Sequence, residues 1–301
     1  VFADADPAAG VLPLAETTPA PSNEAGIQAQ IDRLLWLYET FNGPHWHEPF
    51  QKSWEDAFAR GNESLVNTTS FGWICDGGEV GELAKGVKCR LNTIFIIDLP
   101  GYGIVGPAAA LNYTDFFSYF PSCTFQFPNN ALYGPLPSDW SPEALVNGLF
   151  YAGNQINGTI PDSIWMPNLQ QLDVSANPEL LVANLSRSIA AATSLLYLNV
   201  AAVNGSGWVP EEVCQMSSLS QLMLTNNRFH TLPPCFGPSL KDTLTILNLY
   251  NNAFQGPIPQ NWCNLTGLEQ LNLSDNEFDG DFPTCIKHFG SLTLLGVLNT
   301  K

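Results

Sequence analysis

Residues 94 to 106 read IFIIDLPGYGIVG, which sets Gly101, Gly103 and Gly106 in the spacing G-x-G-x-x-G behind an apolar run. In a dinucleotide-binding fold that spacing lets the backbone approach a pyrophosphate at a helix N-terminus, with an acid about 20 positions on for the ribose. Only the leading strand fits. Pro107 and three alanines follow the last glycine, and Gln126 stands in the segment 124–127 where the acid should be. His45 and His47, in PHWHEPF, are of metal-ligating type but have no His or Cys cluster near them. Asp279 and Asp281 flank Gly280 like a fragment of a calcium loop that lacks its other oxygen ligands. No G-x-S-x-G elbow, P-loop or H-E-x-x-H occurs, and neither His230 nor His288 has an assignable nucleophile. The expectation is a chain with no catalytic residue, no metal and no cofactor.

The elements that would position any site follow a period. LTILNLYNNAFQGPIP, from Leu244, is followed 24 residues later by LEQLNLSDNEFDGDFP, from Leu268. One apolar anchor per copy gives Ile97, Phe125, Leu149, Leu172, Leu198, Leu222, Leu247, Leu271 and Leu295, at intervals of 28, 24, 23, 26, 24, 25, 24 and 24. Such a period signals stacked repeats. The alternation at Leu247/Leu249 and Leu271/Leu273 makes a short strand with one inward face. Asn130, Asn154, Asn177, Asn227, Asn252 and Asn276 follow at a fixed offset, where an inward amide can satisfy backbone groups as the chain leaves the strand. One copy cannot bury its own apolar face, so neighbours must stack into a solenoid.

The frame L-x-L-x-x-N-x-L/F-x-G-x-I/L-P resembles the plant-type leucine-rich repeat of receptor ectodomains and polygalacturonase-inhibiting proteins, from about Asn92 to the C-terminus. The resemblance implies an α/β solenoid, a right-handed superhelix with a parallel concave β-sheet. It also implies a second short strand near each G-x-I-P segment and turns or 3₁₀ pieces on the convex side. Tyr102 and Val203 replace the ladder asparagine, and the Leu172 copy lacks the G-x-I-P tail. Gly106 aligns with Gly134, Gly158, Gly256 and Gly280, so Gly101 and Gly103 alone look peculiar to the first copy. The nucleotide reading gives way to a junction between cap and solenoid.

Three segments result: an Ala/Pro-rich arm at 1–26, a cap at 27–91 and repeats at 92–301, about eight plus a partial ninth. Ile27, Ile31, Leu34, Leu35, Tyr38 and Phe41 follow helical spacing and Asn42-Gly43-Pro44 ends the helix. With Trp46, Trp54, Trp73 and the pattern GW-x-C then GV-x-C, this segment resembles the helical N-terminal cap of secreted leucine-rich-repeat proteins, which implies a Cys75–Cys89 disulfide. Cys214 with Cys235, and Cys263 with Cys285, fall at similar places in adjacent coils about 5 Å apart, within disulfide reach. Cys123 is left over, as a buried thiol or a bond to another chain. The arm lacks apolar periodicity and should lie along its own solenoid or dock on a neighbour. The ninth coil at Leu295 has no polar closing element.

A formal charge of −17 with 11 Lys and Arg opposes nucleic acid and anionic membrane as partners. No apolar run approaches the roughly 18 residues of a membrane span. With neither an initiating Met nor a signal-like apolar region at Val1, the chain reads as a processed or trimmed product. Seven cysteines and eight N-x-S/T triplets, at Asn62, Asn67, Asn112, Asn157, Asn184, Asn204, Asn264 and Asn272, point to an extracellular glycoprotein. Outward positions of the inner sheet are Asp98, Gln126, Phe150, Asp173, Tyr197, Asn199, Met223, Asn248, Tyr250 and Gln270. That mixture of aromatics and amides suits a protein, peptide or glycan ligand. The competing expectation is a structural subunit that self-assembles through its arm and its last coil.

Overall fold

The structure, a computed structural model, describes residues 24–48, 51–57, 86–90, 93–285 and 289–299. Most of the arm, Asn62, Asn67, Trp73, His288 and the expected Cys75–Cys89 pairing lie outside the described residues.

Helix α1 spans Glu24–Thr40. Ile31, Leu34, Leu37, Tyr38 and Phe41 form its buried stripe. Leu35, expected inside, is exposed, and Leu37 takes its place because the helical turn puts 34, 37/38 and 41 on one face. A 3₁₀ turn at Gly43–His45 leads to helix α2 over residues 51–57. Trp46 and Trp54 meet edge to face at 5.1 Å between ring centroids and close the cap's core.

The cap's last strand, β1 (Val87–Arg90), pairs antiparallel with β2 (Thr93–Asp98). From β2 onward each coil gives one strand to an inner parallel sheet, and every coil but the last gives a second to the outer side, where the strands form a six-stranded and a two-stranded sheet. The first outer strand is β3 (Val105–Pro107), followed by β4 (Cys123–Gln126), β5 (Ala131–Pro135), β6 (Val146–Phe150) and β7 (Gln155–Thr159). Next come β8 (Gln171–Asp173), β9 (Leu180–Val182), β10 (Tyr197–Asn199), β11 (Asn204–Trp208), β12 (Gln221–Met223) and β13 (Arg228–Thr231). After a short helix, α3 (Phe236–Ser239), the chain adds β14 (Ile246–Asn248), β15 (Gln255–Pro257), β16 (Gln270–Asn272), β17 (Glu277–Asp279) and β18 (Leu294–Gly296). The even strands follow β1 and β2 in one ten-stranded sheet.

All nine anchors stand in one register row, from Ile97 opposite Phe125 through to Leu271 opposite Leu295. Those from Ile97 to Leu271 are fully buried. Each such Leu removed from water contributes roughly 1.5–3 kcal/mol, so the period seen in sequence is the spacing of the core.

The asparagine ladder joins coil to coil. Asn177, fully buried, accepts from Ile156 N at 2.9 Å and donates to Tyr151 O at 2.9 Å and Val174 O at 3.0 Å. Asn130, Asn154, Asn227, Asn252 and Asn276 repeat the pattern. Where Val203 breaks the row, Leu180 N donates instead to Asn177 O at 3.0 Å, a local turn standing in for the missing amide.

Four positions beyond each anchor the backbone turns left-handed, at Gly101, Asn129, Gly153, Ala176, Ala202, Asn226, Asn251, Asp275 and Asn299. Gly101 is therefore not peculiar to its copy, a correction to the sequence reading. Cys214–Cys235 and Cys263–Cys285 are disulfides between adjacent coils, as expected. Cys123 is a free, buried thiol, and burial pushes its pKa well up.

Candidate functional site

The inner sheet presents two rows, one residue before and one after each anchor. The row before the anchor reads Ile96, Thr124, Gly148, Gln171, Tyr197, Gln221, Ile246, Gln270 and Leu294. The row after it reads Asp98, Gln126, Phe150, Asp173, Asn199, Met223, Asn248, Asn272 and Gly296. Tyr250 stands two residues further along its coil. All ten expected surface positions thus share one face.

They are not equally available. At the centre, the rings of Phe150 and Tyr197 stack at 6.3 Å, one on each side of β8. Asp173 on that strand is only 2% exposed. Its Oδ1 accepts from Ser175 N at 2.9 Å and Ser175 Oγ at 2.6 Å. Its Oδ2 accepts from Tyr197 Oη at 3.1 Å and Asn199 Nδ2 at 3.0 Å. Burial raises the Asp173 pKa, and these hydrogen bonds only partly offset it. Burial also raises Tyr197, and the Asp173 charge adds to the effect. The carboxylate is therefore an internal brace that fixes the tyrosine and the amide facing solvent.

A second role recurs along the row. Asn199, Asn248 and Asn272 accept through Oδ1 from the backbone N of Ala201, Tyr250 and Ser274, at 3.0, 3.2 and 3.1 Å. These side-chain oxygens hold the strand exit, and the Nδ2 of Asn199 also reaches Asp173 and Tyr197, so that amide is fixed on both sides. Asp98 is engaged by Lys88 Nζ at 3.3 Å, across to the cap strand. Tyr250 is bonded to Asp275 and its pKa rises for that reason. Gln126 and Gln270 extend the face at either end. Gln221 and Ile246 belong to the same row but fall outside the sequence-based set; aligning the position before each anchor would have found them.

The other sequence candidates lie elsewhere. His47 sits against the first coil, its backbone N donating to Tyr102 O at 2.8 Å. Asp279 ends β17 on the outer sheet and Asp281 is exposed just beyond it. Among the described residues no cluster of three metal-ligating side chains occurs, and no helix is long and apolar enough to cross a membrane.

Of the sequon asparagines, Asn157 and Asn204 are on outer-sheet strands, and Asn184 and Asn264 are exposed outside the inner sheet. Asn112 is half-buried, its Nδ2 donating to Asp115 at 3.0 Å. Among the described sequon asparagines, Asn272 alone falls on the inner sheet, at 3% exposure.

The Leucine Rich Repeat family model matches residues 243–265 and 267–289. Among curated proteins, receptor-like protein 53 of Arabidopsis thaliana is 36% identical over 107 residues, covering 35% of this chain and 11% of that protein. Receptor-like protein 32 of the same plant is 33% identical over 119 residues, covering 37% and 13%. The chain thus spans a small fraction of the length of the curated relatives it matches. Among solved structures, the Arabidopsis receptor kinase HAESA in complex with the peptide hormone IDA and the co-receptor SERK1 is 26% identical. That match has a TM-score of 0.65 and covers 82% of this chain and 42% of HAESA. The HAESA ectodomain with an extended IDA peptide gives a TM-score of 0.69 at 23% identity, over 92% and 42% of the two chains, which shows the shared fold.

Proposed function

We propose that this leucine-rich-repeat protein of the plant extracellular type is a non-enzymatic ligand-binding module, secreted or held at the cell surface. Its concave sheet takes an extended peptide or an exposed segment of a protein partner, centred on Phe150, Tyr197 and Asn199. The observation that carries this reading is the braced cluster around Asp173: a tyrosine and an amide each hydrogen-bonded to one oxygen of a buried carboxylate whose other oxygen is held by Ser175. A surface groove with no ligand gains nothing from such preorganisation, whereas a binding face loses less entropy through it. The likeness to HAESA, a receptor kinase solved with a peptide hormone, supports a peptide over other partners.

The two rows from Thr124 to Gly296 contain neither Lys nor Arg. An anionic ligand would find no counter-charge there, so the partner is neutral or basic.

Selection of displayed random peptides on the folded protein tests this. Neutral or basic peptides should be enriched, and Tyr197→Ala or Tyr250→Ala should weaken them by about tenfold or more, as truncation of an aromatic anchor does. Gln260→Ala, on the opposite side, should leave them unchanged. Retention of oligosaccharides instead of peptides, or indifference to the tyrosines, would sink the reading.

A further inference from the structure

The outer sheet carries large apolar residues that the described residues leave about half exposed. Tyr133, Leu181 and Trp208 are 48%, 43% and 47% exposed. Each has a sequon asparagine on a neighbouring coil. Tyr133 pairs with Gln155, two residues before Asn157 on the same face of β7. Leu181 pairs directly with Asn204 of β11. The Trp208 backbone N donates to Asn184 Oδ1 at 3.1 Å.

The local geometry suits attachment. The oxygens of Asn184 and Asn204 are held, the first by Trp208 N and the second by Arg228 Nη2, so each amide group is fixed in orientation. Beside Trp208 opens a cleft of about 280 Å³ that Arg187, Glu211 and Glu212 also line. An indole presents a flat apolar surface to the C–H face of a pyranose, and the guanidinium and carboxylates can bond its hydroxyls. Asn272 is the opposite case in exposure: Asn184 is exposed, whereas Asn272 is buried on the concave face at 3%. A sugar on its amide would require the side chain to leave that buried position.

We propose that Asn157, Asn184 and Asn204 carry N-linked glycans that lie over Tyr133, Leu181 and Trp208, while Asn272 stays unmodified. The solenoid is thereby two-sided: the outer sheet is closed to protein contact by its own sugars, and the concave face is kept free of them. The inference rests on the extracellular reading above.

Peptide mapping of the protein from a eukaryotic secretory host tests it, with peptide-N-glycosidase cleavage in heavy-oxygen water marking each occupied asparagine. Label at Asn157, Asn184 and Asn204 with none at Asn272 is expected. Label at Asn272 in folded protein, or its absence from the other three while Asn112 or Asn264 is labelled, overturns the inference and leaves the extracellular reading intact. No label at any sequon overturns both. Covering has its own readout: native removal of the glycans should shift the protein from monomer to oligomer in light scattering, and the Leu181→Thr, Trp208→Ser double variant should stay monomeric after the same treatment. A deglycosylated monomer without those substitutions overturns the covering role.

Discussion

The imidazole of His47 donates from Nδ1 to the carbonyl oxygen of Gly101 at 3.0 Å, fastening the cap to the first coil. The same contact accounts for the glycine motif. Gly103, at φ +79°, lies where an added Cβ would fall 2.9 Å from His47 Nε2. Gly106 lies where a Cβ would fall 2.6 Å from the Phe41 ring. Two of the three glycines are therefore smooth ground for the cap, and the third is the left-handed turn found in every coil.

Gly106→Ala should destabilise by about 1–3 kcal/mol, because Phe41 is fully buried and cannot swing aside. Gly134 in the next coil is the control. It has open space around its Cβ position but φ +78°, so Gly134→Ala should lose about 1–2 kcal/mol through backbone strain alone. Denaturant unfolding followed by cap tryptophan fluorescence separates the two: an early loss of Trp46 signal is expected in Gly106→Ala only. Coincident transitions in both variants would refute the docking role.

Asn177→Ala should remove about 2–4 kcal/mol. The substitution strands Ile156 N and two carbonyl groups at once, at a fully buried position. Asn177→Asp tests the mechanism, since it keeps the acceptor and loses the donor. Thermal melting should place it below the wild type as well, and a variant as stable as wild type would show that the ladder amide is dispensable.

Periodic features were open to sequence reasoning because they repeat. Anchors, ladder and inter-coil disulfides recur at one spacing, so a single period placed Leu172, Asn177 and Cys214 together. What escaped was set by contacts between different elements. Leu35 and Leu37 have the same chemistry and both flank Leu34 and Tyr38 on the helix, so the fit to helical spacing alone left the edge of the buried stripe one residue out. Asp173 reads in sequence as one more outward acid; its burial depends on Phe150 and Tyr197 from two other coils. Likewise, Ala176 and Ala202 give no sign in sequence of a left-handed backbone.

Those two alanines yield a stabilising prediction. They sit at φ +53° and +51°, where other coils use Gly, Asn or Asp. A left-handed Ala is strained by about 1–2 kcal/mol, part of which a glycine's added unfolded-state entropy offsets. Ala202→Gly should therefore raise stability by about 0.5–1 kcal/mol, and Ala202→Asn should do similarly, as read by urea midpoint. A fall in midpoint for both would mean that the turn is held by something other than its backbone angle.

Asp173 gives the concave face a pH dependence whose sign follows from its environment. Burial raises its pKa in the folded chain, so the native state binds the proton more tightly than the unfolded state does. That contribution to stability is fully present below the ordinary carboxylate value of about 4 and is lost as pH rises through the raised folded value. The groups facing it are Ser175 on its own coil and Tyr197 and Asn199 on the next; none carries a positive charge that would reverse the sign. Asp173→Asn removes the titration while keeping an acceptor for Tyr197 or Asn199. The difference in unfolding free energy between wild type and variant, measured at a series of pH values, should move against the wild type from about pH 4 upward and then level off. Parallel profiles would show that Asp173 is as readily ionised in the folded chain as in the unfolded one, and that the brace under Tyr197 is not buried from water.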